Sequence, residues 1–327
     1  MLNPNAKLSA KAFADDIEKK PTRDGFGTGT IEAGRADRNV VVLCADLKES
    51  TRAEWFQKEF PDRFVEMGIG EQNMAATAAG FALAGKIPFI ASYAAFSPGR
   101  NYEQIRTTVA LNDVPVNVCG MHAGVSVGPD GATHQMLEDI AMMRAMPNMI
   151  VLNPCDAEEA RKATVAAATH GKPTYLRFGR SAVPLFTTPE TPFQIGKAQL
   201  LWNSEKPKVA FLSTGALTYE ALLAARALHA DGVESIVAHF GTIKPLDEAA
   251  VVAAAKAAKI VITVEEHQVA GGFGSAVAEL LSDKHPTRVH RIGIDDRYGE
   301  SGDPDELLDM FGLTAPHLAD AAKKLLA

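Results

Sequence analysis

Short apolar runs alternate with longer amphipathic or alanine-rich stretches along most of the chain. The runs at 40–44, 87–91, 114–119, 149–152 and 174–177 are rich in β-branched and other apolar residues, bounded by turn formers, and read as strands. Between them, 71–83, 104–111, 137–144 and 157–169 carry helical spacing. Buried strands alternating with helices predict a parallel sheet covered on both faces. The alternation stops at 181–207, where four prolines and no periodicity predict a linker running over the surface. A second alternation follows. Its strands are expected at 209–212, 235–238, 260–264 and 289–292, and its helices at 218–228, 248–258 and 275–281, the last after a GGFG turn. Helices at 305–310 and 315–326 close the chain. The fold class expected is α/β, with two successive three-layer domains and mostly parallel sheets. The divisions are an extension at 1–20, a first domain at 21–185, a linker at 186–206 and a second domain at 207–327.

Composition narrows the class. A chain of 327 residues, 46% of them hydrophobic, has material for two cores. A net charge of -7 without a basic cluster argues against nucleic acid or an anionic membrane as partner. No run is long and apolar enough to span a bilayer, and the start lacks the apolar centre of a signal peptide. Cys44, Cys119 and Cys155 all lie in or beside apolar runs, which suits buried free thiols in a reducing compartment. The expected location is therefore cytoplasmic.

Three segments carry candidate chemistry. In GIGEQNMAATAAGFALAG, Glu71 opens a strongly apolar helix. An acid in a first turn is commonly a solvated partner of the helix dipole. One that starts a buried helix needs a dedicated partner and tends to hold its proton more tightly. The glycine-rich HAGVSVGPDGATHQ follows a strand and contains His122, Asp130 and His134. Loops in that place are where α/β sheets bind ligands. The histidine spacing fits no common zinc motif, so a polar pocket for a hydroxylated substrate competes with an ordinary loop. In ASYAAFSPGRNYEQIR, Tyr93, Phe96 and Tyr102 suit either packing of a helix start or a slot for a heteroaromatic ring. Arg23, Arg177 and Arg180 stand near element ends, where guanidinium groups suit phosphate, although any one of them singly reads as a surface arginine.

Together these segments, in the order TRDGFG, CADLKES, GIGEQNMAATAAGFA, SYAAF, MHAGVSVGPDGATHQ, MPNMIVLNPCDAEE, FGR, TIKPLD and VEEHQVAGGFGSAVAE, resemble the C-terminal two-thirds of transketolase. The resemblance runs from Arg23 to the C-terminus. It implies a thiamine-diphosphate-binding fold, the pyrimidine domain, followed by a transketolase C-terminal-like domain. It implies transfer of a two-carbon ketol unit between sugar phosphates with thiamine diphosphate. By the resemblance, Glu71 matches the glutamate that hydrogen-bonds the cofactor's N1′, Phe96 and Tyr102 match aromatics around that ring, and Asp46 matches an acid near the cofactor. His122 and His134 match histidines of the substrate channel, and with Glu71 they form the expected catalytic set. Asp130 matches the acid that reads a substrate hydroxyl. Arg23, Ser50, His122 and Arg180 match groups at the sugar phosphate.

The family holds the cofactor's diphosphate through a metal bound at a GDG motif, and no GDG occurs here. The resemblance therefore implies a separate diphosphate-domain subunit holding Mg2+ or Ca2+. It also implies self-association through this chain, in an α2β2 assembly. Two departures stand out: many full-length members read G-I-R-E-H where this chain has Gly70, Glu71 and Gln72, and Ser-Pro-Gly follows Phe96. Relatives place the segment with Glu265, Glu266 and His267 at a subunit contact. Within the superfamily the β subunit of a 2-oxo-acid dehydrogenase's decarboxylating component and a deoxyxylulose-phosphate synthase would also keep Glu71. The dehydrogenase subunit would lack the paired histidines, and the synthase would be a longer chain. An inactive regulatory or oligomerisation subunit is the remaining alternative. Such a relic would be free to lose Glu71, Asp130, His134 and the arginines.

Overall fold

The computed structural model describes residues 1–327. Its first sheet has seven strands, in spatial order Thr242–Lys244, Ile150–Leu152, Thr174–Arg177, Asn117–Met121, Ile87–Tyr93, Val40–Cys44 and Phe64–Glu66. All neighbours are parallel except Thr242–Lys244, which runs antiparallel to Ile150–Leu152. Every residue of Val40–Cys44, Asn117–Met121 and Ile150–Leu152 is buried. Helices cover both faces, so these strands read as continuous apolar runs and do not alternate. The second sheet orders Val289–Ile294, Ile260–Gln268, Val209–Ser213, Ser235–His239 and Gln199–Trp202, parallel but for the last. The chain thus builds two α/β units with mostly parallel sheets, as the pattern predicts.

Several elements differ from the sequence reading. Gln199–Trp202 lies inside the expected linker and pairs with Ser235–His239. Thr242–Lys244 comes from the second half of the chain but edges the first sheet. Residues this short carry no period, and only the partner strand makes them a strand. The first residues pack against the second unit: the Asn3 amide donates to the Leu201 carbonyl, and the Tyr219 hydroxyl to the Ala12 carbonyl.

Helix Thr22–Ala36 was not legible, because four glycines depress its helical propensity. Tertiary contact explains them. A Cβ at Gly25 would fall 2.1 Å from the Ala157 carbonyl oxygen and 2.6 Å from the Ala160 Cβ. The glycines let this helix press against Ala157–His170, and that docking sets Arg23, in its first turn, beside the strand ends.

The two units share a core. Ile90, Val118 and Val151 of the first sheet belong to one buried cluster with Ala210 and Leu212 of the second, bridged by Phe240 and Phe273. Cys44, Cys119 and Cys155 are buried free thiols. No helix is long and apolar enough to cross a membrane.

Candidate active site

Four loops that follow parallel strands of the first sheet converge at one end of it, where open α/β sheets hold ligands. They follow Val40–Cys44, Ile87–Tyr93, Asn117–Met121 and Thr174–Arg177, and bring Ser50, Phe96, His122 and Arg180 to that end.

Glu71 is the first residue of helix Glu71–Leu83 and is 2% exposed. Its Oε2 accepts from Arg100 Nη1 at 2.7 Å, and Ser92 Oγ lies 3.5 Å from Oε1. Asn101 Nδ2 donates to its carbonyl at 3.0 Å, fixing the start of the helix. The Arg100 guanidinium also lies 4.9 Å from the centre of the Phe96 ring. The carboxylate is thus withdrawn from water and edged by an aromatic turn. Its cation partner is half exposed.

From Phe96 the aromatic surface continues. Tyr93 and Phe96 stack with centroids 5.9 Å apart, Tyr93 stacks on His122 at 3.9 Å, and His134 meets Phe96 edge-on at 5.5 Å. His122 is 1% exposed and holds a left-handed backbone at φ 55°. Such backbone is costly for a residue with a Cβ and concentrates at functional sites. Arg23 Nη1 donates to the Ser50 carbonyl at 2.9 Å and lies 3.3 Å from His122 Nε2. A guanidinium has no acceptor, so Nε2 must accept and the ring proton sits on Nδ1. Burial first, then the Arg23 and Arg180 cations, lower the His122 pKa to about 3. His122 is therefore neutral at neutral pH. Its ring-proton NMR signals should stay flat from pH 8 to pH 5. Titration near the ordinary histidine value of about 6.5 would contradict the buried, cation-flanked position.

A cleft of about 360 Å³ opens beside these rings, lined among others by Arg23, Ser50, Arg52, His122, Asp130 and Arg180. Three guanidinium groups, of Arg23, Arg52 and Arg180, line this space together with an exposed carboxylate, Asp130. Arg180 Nη1 is anchored on the Val127 carbonyl at 2.9 Å, and Arg52 on Asp24 at 2.7 Å. Burial lowers the Arg23 pKa, and the neighbouring Arg52 charge lowers it further.

The structure thus joins Arg23, Ser50, His122, Asp130 and Arg180 in one cleft. His134 and Phe96 connect to it through Tyr93, and Glu71 through Arg100. Two expected residues make none of these contacts. Tyr102 gives its hydroxyl to the Met142 carbonyl at 3.2 Å and packs against the core, while Tyr93 takes the place beside Phe96. Asp46 is exposed, with a left-handed backbone, and its amide donates to Glu66 Oε1 at 2.8 Å. Sequence reasoning overlooked Arg52 and Arg100. Arg52 follows Ser50 closely enough to have been suspected. Arg100 carries no local signal, because its partner Glu71 is 29 positions away.

The chain matches the family described as transketolase, pyrimidine binding domain, over residues 18–185. It matches that described as transketolase, C-terminal domain, over 196–318. The putative transketolase C-terminal section of Methanocaldococcus jannaschii is 41% identical over 303 residues, 92% of this chain and 94% of that protein. The 6-deoxy-6-sulfo-D-fructose transketolase subunit of a Clostridium species is 36% identical over 96% of this chain and 97% of its own. Transketolase-like protein 2 of Mus musculus is 39% identical over 92% of this chain. The chain spans only 48% of that longer protein. Among solved structures, a split gene transketolase, described as an inactive beta4 tetramer, superposes with a TM-score of 0.86. It is 41% identical, covering 93% of this chain and 97% of that one.

Proposed function

Because this chain belongs to the transketolase family, we propose that it is the smaller subunit of a two-component transketolase, moving a two-carbon ketol unit from a ketose phosphate to an aldose phosphate. The observation that carries this reading is the 2% exposed Glu71 at a helix start, edged by Phe96 and joined through aromatic rings to an arginine-lined cleft. The residues present fit thiamine diphosphate on this side: a buried carboxylate for the aminopyrimidine and flat rings beside it. When bound, thiamine diphosphate supplies the carbon nucleophile.

The buried Glu71 side chain would hydrogen-bond N1′ of the aminopyrimidine and hold a proton there. Phe96 and Tyr93 exclude solvent from the same face. Neutral His122 and half-buried His134 stand where a substrate carbonyl and its hydroxyls would lie, placed to donate and accept hydrogen bonds. Asp130 accepts from a substrate hydroxyl. Arg23 and Arg180 take the phosphate, for which a planar fork of donors is well shaped. The diphosphate and its metal, Mg2+ or Ca2+, fall to a separate diphosphate-domain subunit. We assign the assembly as α2β2, self-associating through this chain.

The test is co-expression with a diphosphate-domain subunit, then assay with thiamine diphosphate, magnesium and a panel of sugar phosphates. Two-carbon transfer is expected, and carbon dioxide release from a 2-oxo acid in its place would overturn the reading. Within that assay, Arg180→Ala should raise KM for a phosphorylated acceptor by about 10- to 100-fold, the cost of one charged hydrogen bond. KM for the unphosphorylated sugar should stay nearly constant. Equal changes for both would remove Arg180 from the phosphate site.

A further inference from the structure

The loop at 122–135 carries His122, Asp130 and His134, yet much of what holds it comes from the second unit. Glu266 lies in strand Ile260–Gln268 of the second sheet and is 7% exposed. Its Oε1 accepts the Ser126 amide at 2.6 Å, across 140 positions of sequence. Gly124, two residues earlier, has φ +93°, and a Cβ there would fall 2.3 Å from the same oxygen. Only glycine lets the loop approach the carboxylate so closely. Arg177 Nη2 donates to the Glu266 carbonyl at 2.8 Å, which fixes the strand against the end of the first sheet.

A second hold acts at the far end of the loop. Gln135 Nε2 donates to the carbonyls of Val125, Gly128 and Glu300 at 3.2, 3.0 and 2.8 Å. It closes the loop on itself and ties it to the segment preceding helix Pro304–Met310. Ser181 Oγ and Arg180 Nη1 then take the carbonyls of Ser126 and Val127. The loop's polar backbone is thus largely spoken for, and its one charged acceptor comes from the other unit.

We infer that Glu266 is a positioning residue for the substrate loop: its carboxylate, through the Ser126 amide, sets where His122, Asp130 and His134 stand. The inference rests on the transketolase reading for the meaning of the loop, but not for the contact itself. An anionic acceptor buried with one amide makes a strong, directional bond. Losing it leaves the amide without a partner, so the loop samples other positions. Small misplacements of binding groups are costly to binding and orientation.

Two variants separate reach from charge in the assembled enzyme. Glu266→Asp keeps the charge but withdraws the oxygens by one methylene. Glu266→Gln keeps the length and an oxygen that can accept the amide. We expect Glu266→Asp to raise KM for the donor ketose phosphate by about tenfold or more, with kcat less affected and thiamine diphosphate affinity unchanged. Glu266→Gln should stay within about threefold of the parent. Amide hydrogen exchange over 122–135 should speed up by about tenfold in the Asp variant and stay near the parent rate in the Gln variant. Parent-like exchange and KM in both variants would overturn the inference. So would a joint fall in kcat, cofactor affinity and melting temperature at constant KM, the mark of a merely structural role. If the parent complex transfers no ketol unit, the functional reading fails, while the exchange measurement still decides the contact.

Discussion

Replacing Glu71 by alanine should cut turnover by a factor of about 10² to 10⁴, the usual cost of removing a positioned proton-transfer group. Assembly and KM should change little. The reason lies in the setting. Glu71 is buried at a helix start, and its cation partner Arg100 is half exposed and can turn to water once the carboxylate is gone. No buried charge is then stranded, so the folded state should lose about 1 kcal/mol or less. Saturating kinetics with the partner subunit present, together with a melting curve, check both halves. Turnover within a few-fold of the parent enzyme would end the assignment of Glu71 to the cofactor.

The second large effect concerns stability. Asp139 is fully buried at the start of helix Asp139–Arg144. Its Oδ2 accepts from the Tyr175 hydroxyl at 2.6 Å and from Arg177 Nε at 2.8 Å. Arg177 is 5% exposed and has no route to water. Asp139→Ala should therefore cost about 3–5 kcal/mol, because it leaves a buried cation and a buried hydroxyl without their acceptor. Asp139→Asn keeps an acceptor oxygen and should cost less. Urea unfolding of the three proteins measures the difference. An alanine variant as stable as the parent would show that this pair holds nothing together. Arg177 also binds the carbonyl of Glu266, so the damage should extend to the contact between the two units.

Arg177 also shows where the sequence reading was limited. From its place near a strand end it reads as one of several arginines suited to phosphate. In the folded chain it is spent on Asp139 and on two backbone carbonyls, while Arg23 and Arg180 line the cleft. Tyr102 and Tyr93 make the same point. Both belong to one aromatic turn, but Tyr102 faces the core and Tyr93 stacks on His122. Composition cannot distinguish them, because the difference is a direction set by the turn of backbone at 94–101.

What the sequence determined by itself is whatever depends on neighbours a few positions apart. Strand Val40–Cys44 was placed by its unbroken apolar run, helix Glu71–Leu83 by its alanine-rich composition and helix Ala315–Leu326 by its amphipathic spacing, and the two-unit α/β plan followed from the alternation of such runs. The ordered motifs made the family legible for the same reason. What only the tertiary structure decided is every contact between distant segments: Arg100 on Glu71, Asp139 on Arg177, Glu266 on the Ser126 amide, and the glycine-rich helix Thr22–Ala36 that close packing makes possible. Such pairs have no period in the chain. Burying the shared core brings their elements together, and only then do charges that would be solvated in isolation acquire partners.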